Sequence, residues 1–253
     1  MPPSFTLSLA AVDALSQVLG VNPRLFPLEV PSFGRLAEDR DRIAKAVFAD
    51  LYGRGLIGRD QVDPDVESAL RAVCEYDVGV GVMGTVDKDR PIRARAAIAG
   101  TTAVLVVQEG QMIRFELVSP GSVGRALVAL LPKSAAGPGQ SVMVTEAPPV
   151  RQDGYVQPVR APRSTSDTQL RLAATMLERP RTGYGFFSIS GKGRHGREVD
   201  AGTVGWVDTE SGRYLSVSRP QPDGAIRATY SPADAGRLTR QLEELITAAT
   251  PRR

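Results

Sequence analysis

Gly191-Lys192-Gly193-Arg194-His195-Gly196 spells G-x-G-x-x-G directly after a strand-like run. In dinucleotide-binding proteins that spacing turns the chain into a helix whose N-terminus faces a pyrophosphate. The residues that follow here, Arg197-Glu198-Val199-Asp200-Ala201-Gly202, lack a helical period, so the run reads as a glycine-rich hairpin loop. His195 is the only histidine, and it sits in this loop with no cysteine near it in sequence. A zinc site or a general base needs partners that it lacks. A serine hydrolase needs a base, and a lone histidine in this polar loop makes a Ser-His-acid triad unpromising. The only cysteine, Cys74, lies beside Val73 on the apolar side of a helix and reads as an inert buried thiol. The acid-bearing turns 87–90 and 208–212 offer too few ligands for calcium and suit turn chemistry instead. The expectation is a protein with no catalytic residue, no metal and no cofactor, and therefore no enzymatic activity.

Recognition of a partner is the alternative to chemistry. One basic cluster, Lys192, Arg194, His195 and Arg197, and a basic end, Arg252-Arg253, stand in a chain whose net charge is only +3 at pH 7. A nucleic-acid-binding module built on 192–197 is the rival reading, weakened because no aromatic residue interleaves with the cluster. Phe186, Phe187, Trp206 and Tyr214 fall in adjacent strand-like segments. They can fill a core, or some can floor a docking surface, where aromatic residues are enriched.

These residues need a scaffold, and the composition supplies one. An apolar fraction of 42% with 23% charged residues is that of an ordinary globular protein. No apolar run approaches the roughly 18 residues of a membrane span. The start, Met1-Pro2-Pro3-Ser4-Phe5, shows neither a basic nor an apolar signal region. With one cysteine, this predicts a cytoplasmic protein without membrane insertion.

Ser8 is placed to cap a first helix ending at Gly20, and 26–30 reads as a short strand closed by Pro31. A charged helix spans about 35–52, with Glu38–Arg42 and Asp41–Lys45 spaced for pairing. Asp63-Pro64-Asp65 starts another helix, ending near Cys74. Strands follow at 78–82, 92–99, 102–108 and 112–118, the last two joined by Glu109-Gly110-Gln111. Connections this short require an antiparallel meander. A helix at 120–131 follows, then a strand-like 141–145 and a proline-rich stretch, 148–163, expected to be mobile. Ser166 and Gln169 have capping-box spacing for a helix that stops at Pro180. A second meander, 184–190, 203–208, 213–219 and 225–230, precedes a last helix striped by Leu238, Leu242, Leu245 and Ile246.

The two meanders end alike. Ile113-Arg114 leads to Ser119-Pro120-Gly121-Ser122-Val123-Gly124-Arg125, and Ile226-Arg227 leads to Ser231-Pro232-Ala233-Asp234-Ala235-Gly236-Arg237. Such self-similarity predicts a duplicated unit and one shared sheet. The expectation is an α+β fold with two pseudo-symmetric halves: an N-terminal half 1–133, a proline-rich connection 134–166 and a C-terminal half 167–253.

Several of these segments together resemble the EspG family of secretion-associated proteins of actinobacteria. The carrying stretches are Leu7-Ser8-Leu9-Ala10-Ala11-Val12-Asp13-Ala14-Leu15, Pro27-Leu28-Glu29-Val30-Pro31-Ser32, the long charged helix ending Arg54-Gly55-Leu56, the basic glycine loop, Trp206-Val207-Asp208-Thr209-Glu210-Ser211-Gly212-Arg213-Tyr214, and the Ser231-Pro232-Ala233-Asp234 helix start. Their order and spacing carry the resemblance, which spans nearly the whole chain. It implies a central twisted, mainly antiparallel sheet flanked by helical bundles. It also implies a chaperone that binds a PE–PPE pair, or a related helical substrate, and directs it to an ESX (type VII) secretion system. The family docks its client with the sheet, a loop between two early strands and the C-terminal helices. By position the loop here is Asp87, Lys88, Asp89 and Arg90. With the aromatic strands and the leucine stripe, this makes Tyr184, Phe186, Trp206, Leu238 and Leu242 the remaining expected partner-binding residues. Whether the chain forms a homodimer is left open.

Overall fold

The structure is a computed structural model that describes residues 4–59, 61–146, 171, 176, 179–192, 198–220 and 226–251. Short-range capping sets the ends of several helices. The Ala11 amide donates to Ser8 Oγ at 3.1 Å, opening α1 (Leu9–Leu19), and Gly20 closes it with a left-handed φ of 68°. Helix α2 (Ala37–Gly53) is highly charged, and Arg42 pairs with Asp39 at 2.8 Å. In α3 (Pro64–Cys74), Asp63 Oδ1 accepts from the Asp65 and Val66 amides at 2.9 and 3.3 Å, with Pro64 at the first position.

Among the described residues the strands form one ten-stranded sheet. The first meander consists of β2 (Val78–Val86), β3 (Arg90–Ala99), β4 (Thr102–Glu109) and β5 (Met112–Val118). The second consists of β7 (Arg181–Lys192), β8 (Glu198–Thr209), β9 (Gly212–Pro220) and β10 (Ile226–Pro232). Each gains one outer strand: β1 (Ser4–Ser8) pairs antiparallel with β5, and β6 (Val142–Glu146) pairs antiparallel with β10. The order β1-β5-β4-β3-β2-β7-β8-β9-β10-β6 is therefore the same in each direction from the β2–β7 seam. There the two meanders join antiparallel, from Val78 opposite Gly191 to Thr85 opposite Tyr184. The α+β class and the pseudo-symmetric halves expected from the sequence are thus present in one continuous sheet.

One face of the sheet is covered by α4 (Val123–Val128) and α5 (Ala235–Ala249), which pack on each other. Gly124 permits that approach, since a Cβ there would lie 2.8 Å from Glu243 Cγ. Their apolar residues meet Val78, Val80, Val82 and Val86 of β2, Phe187 and Ile189 of β7, and Trp206 of β8. The other face carries α1 and α3 over the N-terminal half, where Leu15, Leu70 and Val73 pack with Val104, Val106 and Phe115. On that face of the C-terminal half, Val142, Met176 and Tyr214 form a small cluster, and Tyr214 donates to the Pro138 carbonyl at 2.9 Å.

Four local readings differ from the sequence expectation. Residues 26–30 form no strand; a turn in which the Leu28 amide donates to the Leu25 carbonyl lays them across the sheet. Residues 4–8, unassigned from sequence, form the edge strand β1, where Phe5 stacks on Phe115 at 5.0 Å. The helix after β5 is shorter than 120–131, a 3-10 turn (Pro120–Ser122) followed by α4. The second copy of the Ser-Pro motif does not cap its helix: Ser231 and Pro232 end β10, and Asp234 takes the cap by accepting the Arg237 amide at 2.8 Å. The expectations for 148–163 and for capping by Ser166 and Gln169 lie outside the described residues, although Arg171 and Met176 are helical.

Candidate docking face

Side chains alternate along a strand, so Tyr184 and Phe186 face away from Phe187 and Ile189 and from the α4–α5 layer. In register beside them stand Thr85 and Met83 on β2, and Val207 and Gly205 on β8. Tyr184 is 50% exposed and Met83 41%, while Phe186 is half-buried. Gly205 contributes no side chain, and Ser216 Oγ occupies the space above it, 2.4 Å from where a Cβ would stand. A cavity of about 280 Å³ lies here, lined by Tyr184, Phe186, Val207, Tyr214 and Tyr230 among others. On the other side of the seam, Met83, Glu29, Arg90, Pro91 and Arg93 help to line an opening of about 830 Å³. Its rim is charged, with Arg93 Nη1 2.7 Å from Glu29 Oε2. The arrangement is an apolar lane across the seam with polar margins, suited to covering an apolar surface of another protein.

Asp87, Lys88 and Asp89 form the turn that joins β2 to β3. Asp87 and Lys88 both adopt left-handed backbone, with φ of 51° and 75°. The Lys88 amide donates to the Thr182 carbonyl at 2.7 Å, and Arg90 Nη2 donates to Asp87 Oδ2 at 2.8 Å. All four side chains of 87–90 are exposed. Because Thr85 pairs with Tyr184, this turn lies at the same end of the seam as Tyr184 and Phe186. The structure therefore brings these six expected residues to one region.

It separates the other three. Trp206 pairs with Gly185, one position out of phase with Phe186, so its ring enters the opposite core at 1% exposure. Gly84 and Gly185 provide the room: a Cβ on either would lie 3.0 or 2.4 Å from Trp206 Cη2. Leu238 and Leu242 are fully buried between α5 and the sheet. An amphipathic stripe on a helix that covers a sheet is consumed by that packing, so these three residues shape the face from behind. Met83, and Phe26 whose ring stacks on Phe186 with centroids 6.0 Å apart, also lie on this face and were not among the expected residues. The signal for Met83 was present, since it shares its strand phase with Gly79 and Gly81 rather than with the core valines. Phe26 was hidden by its assignment to a strand.

The remaining candidates have structural surroundings. Cys74 is partly buried, and burial pushes its thiol up to about 11, leaving it protonated and unreactive near neutrality. Hydrogen bonds from Ser190 and Tyr76 hold the Glu198 carboxyl below its ordinary value, and Arg95 adds to the effect. After the glycine run the chain enters β8, a strand, so no helix N-terminus follows it. Of the basic cluster, Lys192 donates from Nζ to the Glu75 carbonyl at 3.2 Å, while Arg194, His195 and Arg197 lie outside the described residues. Among the described residues, no helix is long and apolar enough to cross a membrane.

Comparison with known proteins follows the same architecture. A search of curated proteins by sequence found no match. A solved structure of the Mycobacterium tuberculosis type VII secretion system chaperone EspG5, in complex with a PE25–PPE41 dimer, is similar in fold with a TM-score of 0.72. The similarity covers 98% of this chain and 97% of that one at 12% sequence identity, a likeness of fold from end to end. The family model described as the EspG family matches residues 8–244, spanning both meanders, the seam and most of α5. The chain belongs to the EspG family.

Proposed function

We propose that this protein is a cytoplasmic chaperone that binds a PE–PPE-type substrate, covers its apolar surface and delivers it to a type VII secretion system, acting by binding rather than by catalysis. The observation that carries this reading is membership of the EspG family, together with a fold shared along the whole chain with a chaperone solved on a PE–PPE dimer. The seam supports it: Met83, Tyr184 and Phe186 form an apolar lane, and the exposed turn 87–90 stands at its end. The docking residues in this reading are Asp87, Lys88, Asp89, Arg90, Tyr184 and Phe186, with Trp206, Leu238 and Leu242 supporting the sheet from the other side. The test is co-expression with PE–PPE pairs from the same organism, followed by co-purification and calorimetry. A stable complex with at least one pair is expected. Failure to bind any of them would remove the chaperone reading.

A further inference from the structure

The chain between α1 and α2 crosses the open face of the sheet without regular structure, yet it is tied down at several points. Arg24 Nη2 and the Phe33 amide both donate to the buried carboxylate of Asp13, at 2.9 and 3.1 Å. The Glu29 amide donates to Gln108 Oε1 at 2.8 Å, and Gln108 Nε2 donates back to the Glu29 carbonyl at 3.2 Å. Between these ties, Arg95 Nη1 donates to the Phe26 carbonyl at 2.8 Å. Arg95 is itself only 4% exposed, and its guanidinium lies 4.4 Å from the centre of the Tyr76 ring. A buried cation is costly, so a guanidinium spent on a loop carbonyl fixes that loop firmly.

These ties hold one large apolar side chain half in water. Leu28 and Val30 of the same strap are buried, but Phe26 is 50% exposed. Its ring lies over Gly81, where a Cβ would come within 2.9 Å of Phe26 Cδ1. It reaches across β2 to stack on Phe186 of the other half, with ring centroids 6.0 Å apart and planes 12° from parallel. The ring thus makes contacts within the fold and still leaves half of its surface open, on the sheet face that also carries Met83 and Tyr184. A rigid aromatic that has already lost its conformational freedom, and still has apolar area to bury, is a pre-organised anchor for a partner.

We propose that Phe26 is a client-binding residue, one that extends the apolar lane from the C-terminal half onto the strap of the N-terminal half, so that a PE–PPE substrate is gripped by both. This rests on the chaperone reading above. The experiment measures the affinity of a purified PE–PPE heterodimer from the same organism for the full chain, for Phe26→Ala and for Tyr52→Ala. Tyr52 on α2 is 55% exposed and serves as the comparison aromatic. The expected result is a loss of at least about tenfold for Phe26→Ala, more than most interface residues cost when truncated, with no change for Tyr52→Ala. A change of less than twofold for a folded Phe26→Ala, or an equal loss for Tyr52→Ala, would overturn the assignment while the chaperone reading stands. If the unaltered chain bound no PE–PPE heterodimer, both would fall. Should Phe26→Ala lower the melting temperature substantially, Phe26→Leu, which keeps Gly81 covered, becomes the deciding variant under the same thresholds.

Discussion

Arg213 donates from Nε and Nη2 to the two carboxylate oxygens of Asp208 at 2.6 and 2.8 Å, a bidentate pair between directly opposed residues of β9 and β8. Both side chains are almost removed from solvent, at 1% and 7% exposure. Arg213 also donates from Nη2 to the Pro132 carbonyl at 2.8 Å, and its backbone binds Ala135, Gly137 and Ala233. The pair therefore fastens the chain leaving α4, and the approach to α5, onto one point of the sheet. Removing Arg213 would strand a buried carboxylate. Arg213→Met is expected to cost about 3–5 kcal/mol in urea unfolding, and the double variant with Asp208→Leu is expected to recover much of that loss.

The leucine stripe of α5 gives a prediction that separates stability from binding. Leu242→Ala opens a cavity at a fully buried site and is expected to cost about 2–5 kcal/mol. Chemical denaturation reads the cost directly. Per folded molecule, affinity for a PE–PPE substrate should be unchanged, because Leu242 faces the sheet and not the lane.

The turn after β2 should behave in the opposite way. Lys88→Glu with Arg90→Glu reverses two exposed charges and gives up only the surface pair with Asp87, so the stability change is expected to be under about 1 kcal/mol. Affinity for a PE–PPE substrate, measured by calorimetry, should fall by roughly tenfold, which corresponds to about 1.4 kcal/mol. Unchanged affinity would take the turn out of the docking region.

Cys74 makes a pH prediction. Its thiol is raised by burial to about 11, against about 8.5 for a free cysteine. Alkylation by iodoacetamide at pH 8 should therefore be roughly two orders of magnitude slower in the folded than in the denatured protein, as the thiolate is the reacting species. The folded state favours the protonated thiol. Its contribution to stability is complete below the unfolded value and is lost as pH rises from there through about 11. Cys74→Ser, which does not ionise in this range, should flatten that part of the stability profile.

What the sequence determined by itself was local or periodic. Ser8, Gly20 and Asp63 announce helix boundaries because a cap is a contact among residues two to four positions apart. Both meanders were readable because short connections force antiparallel neighbours, and the repeated strand-to-helix passage pointed to the halves that the symmetric strand order contains. Tertiary structure decided what depends on distant partners. Edge strand β1 exists because Phe5 and Leu7 find Phe115 and Ile113, more than a hundred residues away. Phe26 is a half-exposed ring, and not part of a strand, because Arg95 and Gly81 hold it over the seam. Strand alternation alone could not tell whether Trp206 or Phe186 met the helices; α4 and α5 packed on one face and buried Trp206 with Leu238 and Leu242. A stripe or an aromatic cluster shows that a surface will be covered, and only the assembled sheet decides whether the cover comes from the same chain or is left for a partner.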